Sequence, residues 1–238
     1  MEVINDLLGY RNLKIVQNTS MFSFSLDSVL LANFVTLNKS IKSILDIGCG
    51  NAPIPLILST RCDAKITGVE IQPDVYDLAV KSVNINNLDI DIVNADIKDY
   101  CVETEGDTFD VITCNPPFFK VGECSKFNDS YYKMIARHEV KLNLDDVFRI
   151  SRKLLKNNGV VAVVHRPDRL IDIICLMRSY NIEPKRIRFV YPKIGSEANM
   201  VLVEGRKNGN VGLKVLNPLY CHDDNGDYSL EVIKYFGE

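Results

Sequence analysis

Glycine and proline together account for only 22 of the 238 residues, too few for a collagen-like or low-complexity chain. Long apolar runs are also missing. The stretch Val160–Val164 is among the longest, far short of the roughly 20 residues that a membrane-crossing helix needs. The opening residues Met1-Glu2-Val3-Ile4-Asn5-Asp6 carry no basic segment, so no secretory signal is legible. Seven cysteines (Cys49, Cys62, Cys101, Cys114, Cys124, Cys175 and Cys221) are odd in number and contain no Cys-x-x-Cys pair. That argues against a disulfide framework or a zinc knuckle and for a reducing cytoplasm. His138, His165 and His222 have no metal-ligand spacing, and neither His-Glu-x-x-His nor Gly-x-Ser-x-Gly occurs, so no metal site is expected. What is present is ample apolar material: 46% hydrophobic residues against 25% charged, enough to bury a core without cross-links.

The net charge is −3, which by itself argues against a general nucleic-acid binder. Its distribution is uneven. From Ser151 to Lys193 ten basic residues (Arg152, Lys153, Lys156, Arg166, Arg169, Arg178, Lys185, Arg186, Arg188 and Lys193) face only Asp168, Asp172 and Glu183. This stretch carries +7 and leaves −10 for the remainder. It is either a set of solvated helix faces or a patch for phosphate.

Strand-like and helix-like segments alternate between about residues 25 and 190. Ser25 is placed to cap a helix through Leu26, Val29, Leu30, Phe34 and Leu37. Strands are expected at 43–47, 65–70, 91–94, 109–114 and 160–165. Helices are expected from Pro53, from Pro73 to about Asn87, from Asn143 to a stop at Asn157-Asn158-Gly159, and after Pro167. Residues 187–191 and 199–204 look like paired strands. Such alternation with apolar strands means a mostly parallel sheet covered on both faces, whose ligands sit beyond the carboxyl ends of the strands. The polar segment from Lys120 to Lys141 reads as a substrate loop. Asp223-Asp224-Asn225-Gly226-Asp227 only superficially resembles a calcium loop. With Gly226 aligned, Cys221 and Val232 fall at ligand positions, so a hairpin turn is expected.

The chemistry concentrates at four strand ends. Asp46-Ile47-Gly48-Cys49-Gly50 closes the first strand with a glycine-rich turn, whose backbone a ligand can approach closely. An acid two residues before the first glycine suits a ligand with an amino group better than a phosphate, and S-adenosylmethionine carries both an α-amino group and a sulfonium. Glu70 ends the second strand, where a carboxylate can accept from both ribose hydroxyls; its bland alternative is a cap for the helix at Pro73. Asp96 ends the third strand, where it could take an adenine amine or remain a solvated loop acid, with Ile71 and Ile97 as apolar faces around the base. Asn115-Pro116-Pro117-Phe118 follows the fourth. Two prolines in series force a rigid extended turn that can fix the Asn115 amide oxygen and the Pro116 carbonyl as two acceptors. A flat amine with two N–H donors fits between them, and Phe118 offers a stacking face. Such an amine is a poor nucleophile because its lone pair is shared with the ring. Accepting both protons favours a more tetrahedral nitrogen, so orientation and electrostatic preorganisation suffice without a strong base.

On Asp46–Gly50 and Asn115–Phe118 the chain resembles class I S-adenosylmethionine-dependent methyltransferases acting on exocyclic or amide nitrogen. Three further stretches make it look like the bacterial valine-tRNA adenine-37 N6-methyltransferase family over nearly its whole length. They are Phe22 to Ala32, Ile135-Ala136-Arg137-His138-Glu139, and Val164-His165-Arg166-Pro167 with Pro184-Lys185-Arg186. The resemblance implies an α/β, Rossmann-like fold: a seven-stranded, mostly parallel sheet with an antiparallel last strand and helices on both faces. It implies a single monomeric domain over 1–238, in which residues 1–40 form a helical extension packed on a catalytic core at 41–238. It implies S-adenosylmethionine bound by Phe24, Asp27, Asp46, Gly48, Gly50, Glu70, Ile71, Asp96, Ile97 and Asn115, with Phe24 and Asp27 near its methionine end. Asn115, Pro116, Pro117 and Phe118 would form the catalytic turn. The partner would be tRNA, its phosphates meeting the basic stretch. Three alternatives remain open at this point: methylation of a protein glutamine amide, DNA adenine methylation, and a non-enzymatic RNA-binding role. Where the family usually has a third glycine this chain has Ala52. The following Pro53 leads to the expectation that Ala52 is already helical and unstrained.

Overall fold

A computed structural model of the chain describes residues 1–7, 10–19, 26–118 and 141–236. Phe24, Ser25 and the segment 119–140, which includes Ile135–Glu139 and nearly all of the expected substrate loop, lie outside these residues. The chain opens with two strands, β1 (Glu2–Asp6) and β2 (Lys14–Asn18), paired antiparallel with Glu2 opposite Asn18. This corrects the expectation of an entirely helical extension. Lys14-Ile15-Val16-Gln17 favours an extended, half-buried strand, and tertiary contacts hold it there. Helix α1 (Leu26–Phe34) follows.

The main sheet has nine strands. Its centre is β3 (Ser43–Ile47), flanked by β4 (Lys65–Glu70) and β6 (Phe109–Cys114), with β5 (Ile90–Asn94) beyond β4. On the other side come β7 (Leu155–His165), then β9 (Met200–Lys207), then β8 (Ile182–Tyr191). β3 to β7 run parallel, while β9 is antiparallel to both β7 and β8. These seven strands make the expected sheet. Two short edge strands, β10 (Lys214–Val215) and β11 (Leu219–Tyr220), add to β8.

Side-chain alternation along the strands divides the core. Ile44, Val111 and Ala162 point to one face, which is covered by α1, α2 (Pro53–Ser59) and α3 (Pro73–Ile85). Leu45, Ile112 and Val161 point to the other, covered by α4 (Ile97–Glu103), α5 (Leu144–Leu154) and α6 (Leu170–Ser179). A final helix, α7 (Leu230–Tyr235), is capped by Ser229. As expected, Asn143 caps α5, its side chain accepting from the Asp146 N–H at 2.9 Å. The helix nevertheless ends at Leu154 and not at Asn157-Asn158-Gly159. Leu155 pairs at once with Phe109, and the following three residues fall where the pairing shifts register, with Asn158 at φ 62°. Asp223–Asp227 is a tight turn: Asp223 Oδ1 accepts from the Asn225 and Asp227 N–H groups, and His222 bridges Tyr228.

Candidate active site

The chain order reverses at β3, where β4 and β6 leave in opposite directions, and an open cleft lies there. The glycine turn Gly48–Asn51 forms one wall, with Glu70, Ile71 and Gln72 beside it. Asn115 and Pro117 form another wall, and Ser28, Lys141 and Leu142 contribute from distant elements.

Gly48 and Gly50 have φ of +66° and +58°, and an added Cβ would meet nothing within 4 Å at either position. Backbone conformation, not space, therefore requires glycine at both. Gly68 on β4 serves a different end, since a Cβ there would approach Cys49 Sγ to 2.8 Å. Its bareness seats the turn on the sheet, where the Cys49 N–H donates to the Val69 carbonyl at 3.0 Å. Ala52 has φ 72° and ψ 33°, so it is the left-handed N-cap of α2 and not its first helical residue. The expectation of an unstrained Ala52 is overturned. Pro53 starts the helix, and the residue before it keeps the conformation that a glycine would adopt at no cost.

Glu70 is buried and ties the two ligand-side turns together: Oε2 accepts from the Gly50 N–H at 3.0 Å and Oε1 from the Gln72 N–H at 2.9 Å. Burial pushes its carboxyl up, opposed by those backbone donors. Glu70 thus holds the entry to α3 while facing the cleft. Asp46 lies beneath the turn, 1% exposed. Thr113 Oγ1 donates to its Oδ1 at 2.6 Å, and Oδ2 is buried without a described partner. Burial raises its pKa to about 7, the Thr113 bond opposing and the Glu70 charge adding to the rise. Asp27 is buried in the first turn of α1, its Oδ1 accepting from the Ser28 N–H at 2.9 Å.

Asn115 leaves β6 directly into the cleft, and its Nδ2 donates to Ser28 Oγ at 3.2 Å. The amide is thereby turned so that Oδ1 remains for a ligand. Pro116 is buried behind it, and Phe118 is half-buried against the core and the His165 ring. Of the residues expected at the cofactor, the cleft brings together Gly48, Gly50, Glu70, Ile71 and Asn115. Asp96 sits one strand further out as the N-cap of α4, Oδ1 accepting from the Lys98 N–H at 2.9 Å, and Ile97 is buried beside it. Sequence reasoning missed Ser28, Gln72, Val75 and Leu142 in the lining, while Lys141 is the end of the expected substrate loop.

Among the described residues, six of the ten basic residues pair with acids, half of those acids remote in sequence. Lys156 pairs with Asp110, Arg178 with Glu183, Arg186 with Glu204 and Arg188 with Glu231, while Arg166 and Arg169 pair with Asp168 and Asp172. Lys153 donates to the Cys101 and Val102 carbonyls, and Lys185 to that of Asn210. Ion pairing thus engages much of this stretch within the fold.

A central parallel sheet with an antiparallel final pair, and a glycine turn facing an Asn-Pro-Pro-Phe turn across its switch point, define a class I, Rossmann-like methyltransferase. Residues 12–170 match the methyltransferase small domain family, and the chain belongs to that family. It is similar to a tRNA1(Val) (adenine(37)-N6)-methyltransferase of Phocaeicola vulgatus, 28% identical over 200 residues that span 84% of this chain and 83% of the relative. It is also 28% identical to the enzyme of that name from Shewanella halifaxensis, over 87% of each chain. Among solved structures, a predicted O-methyltransferase, protein Atu636 from Agrobacterium tumefaciens, superposes with a TM-score of 0.70 at 19% identity, covering 89% of this chain and 95% of that one.

Proposed function

We propose that this methyltransferase uses S-adenosylmethionine to methylate the exocyclic N6 of an adenine in RNA, and that adenine 37 in the anticodon loop of a valine tRNA is its target. The observation that carries the reading is that the Asn115 turn and the glycine turn open onto one cleft. The residues fit the cofactor. Glu70 keeps lone pairs for ribose hydroxyls, and Asp46 Oδ2, without a described partner, lies below the turn as an acceptor for an amino group. Gly48 and Gly50 let the ligand reach the backbone, Ile71 supplies an apolar face, and the family resemblance assigns Asp27 in α1 to the methionine end. Asp96 uses Oδ1 for its cap, leaving Oδ2 for the cofactor's adenine amine beside Ile97. S-adenosylmethionine supplies an electrophilic methyl group on a sulfonium.

The chain's own residues orient the nucleophile. Asn115 Oδ1 and the Pro116 carbonyl accept the two amine protons, Phe118 supports the base, and the nitrogen lone pair is aimed along the line of displacement. The test is to incubate the protein with labelled cofactor and total RNA from cells lacking it, then analyse nucleosides by mass spectrometry. N6-methyladenosine in one tRNA is the expected product. Label only in protein would favour glutamine-amide methylation, which presents the same flat NH2 to the same turn.

A further inference from the structure

His165 ends β7 with no exposed surface, and the mechanism above gives it no task. Its place follows from register. Cys114 pairs with Val163, so His165, two residues on, stands level with the start of the Asn115–Phe118 turn. The Phe118 ring centre lies 5.1 Å from that of the imidazole, the planes tilted by 37°. The Arg166 backbone N–H donates to Nδ1 at 2.8 Å. Nδ1 is therefore the bare nitrogen, and a neutral ring must carry its proton on Nε2. Burial, with Arg169 and Arg166 adding, keeps the ring neutral and lowers its pKa to about 4, against Asp168 and the Pro117 backbone, which favour the charged form. Nε2 nevertheless has no described partner in hydrogen-bond geometry. A buried N–H without an acceptor is a standing cost that an apolar side chain of similar shape would avoid. The Pro117 carbonyl is close enough to act on the ring while falling short of a bond.

We propose that His165 is a positioning residue for the catalytic turn, its Nε2–H closing on the Pro117 carbonyl when a flat base enters, so that the already rigid turn and the Phe118 ring are locked against the base in the loaded site. The bond forgone in the free protein then becomes binding energy directed at geometry instead of affinity. The identity of the base rests on the adenine reading above; the tautomer and the geometry do not.

Histidine 15N NMR of the intact protein tests the first half. The free enzyme is expected to show His165 as the neutral Nε2-protonated tautomer at neutral pH, and an Nδ1-protonated or cationic ring overturns the proposal. Adding S-adenosylhomocysteine with an adenine-containing RNA stem-loop should move the Nε2 proton downfield, and no movement in a saturated complex counts against it. Variants test the second half. His165→Phe keeps an aromatic ring against Phe118 but removes the donor, so kcat should fall about tenfold with the KM for cofactor little changed and the melting temperature not lowered. His165→Gln, which restores an N–H, should recover part of the loss. An unaltered kcat in His165→Phe overturns the assignment. If the wild-type enzyme labels protein and not RNA, the adenine reading fails, and the same comparison on the labelled protein still decides the role of His165.

Discussion

Asn115 donates to Ser28, and that bond leaves the amide oxygen as the free end of the side chain at the cleft. Asn115→Ala removes one of two preorganised acceptors, and kcat should drop about 100- to 1,000-fold with the cofactor Kd within a few fold. Equal loss of cofactor binding would move Asn115 from catalysis to folding. Asp46 makes a pH prediction. Its folded pKa, about 7, lies above the ordinary 3.8, so the folded state holds the proton more tightly. That contribution is present below about pH 4 and is lost as pH rises through about 7. Denaturation midpoints of the cofactor-free protein should decline over that window, and Asp46→Asn should flatten the decline; an unchanged slope would contradict the burial argument. At Ala52, a left-handed alanine costs about 1–2 kcal/mol, while its buried methyl contributes about 0.8 kcal/mol. Ala52→Gly should therefore stabilise slightly in thermal unfolding, and a clear loss of stability would show that packing outweighs strain. The glycines and the proline pair were legible because backbone conformation restricts residue type. Ser28, Gln72 and Leu142 were not, because nothing in a serine, a glutamine or a leucine announces which cleft the tertiary fold will bring it to.

Elements, more than residues, fix the cleft's walls. α1 is held at its C-terminal end: Arg61 donates to the Ala32 and Val35 carbonyls, and Arg186 to the Phe34 carbonyl at 3.0 Å, its guanidinium 4.6 Å from the Phe34 ring centre. Arg186 also pairs with the buried Glu204, whose carboxylate accepts from the Thr36 N–H and Oγ1 at 2.7 and 2.8 Å. Arg186→Ala leaves that charge without a cation, and unfolding free energy should fall by about 2–4 kcal/mol; a change below about 0.5 kcal/mol would show the Thr36 bonds to be sufficient. The β1–β2 hairpin braces the other wall. The Val16 N–H donates to Ser82 Oγ on α3 at 2.9 Å, and Asn51 Nδ2 in the glycine turn donates to the Val16 carbonyl at 2.9 Å. The parallel strands were legible as short apolar runs between turn residues. The hairpin was not, because five-residue strands derive their conformation from what they dock against. The end of α5 was misread for a related reason: Asn157-Asn158-Gly159 supplies the positive φ of a strand irregularity as readily as that of a helix terminus.

At the scale of the whole molecule, charge counted along the chain proved a poor guide to charge on the surface. The +7 of Ser151–Lys193 is partly offset by Asp110, Glu204 and Glu231, which only the folded sheet brings near. Topology, by contrast, was legible, because alternation of strands and helices admits few arrangements and each puts the strand ends on one rim. On that rim, as proposed, the turn after β6 grips a flat amine and aims it at the methyl donor. A crystal structure with S-adenosylhomocysteine and an adenine-bearing RNA stem-loop is the decisive test. Adenine N6 is expected within hydrogen-bond distance of both Asn115 Oδ1 and the Pro116 carbonyl, with the base against Phe118. An adenine bound elsewhere, with Asn115 still facing Ser28 alone, would contradict it.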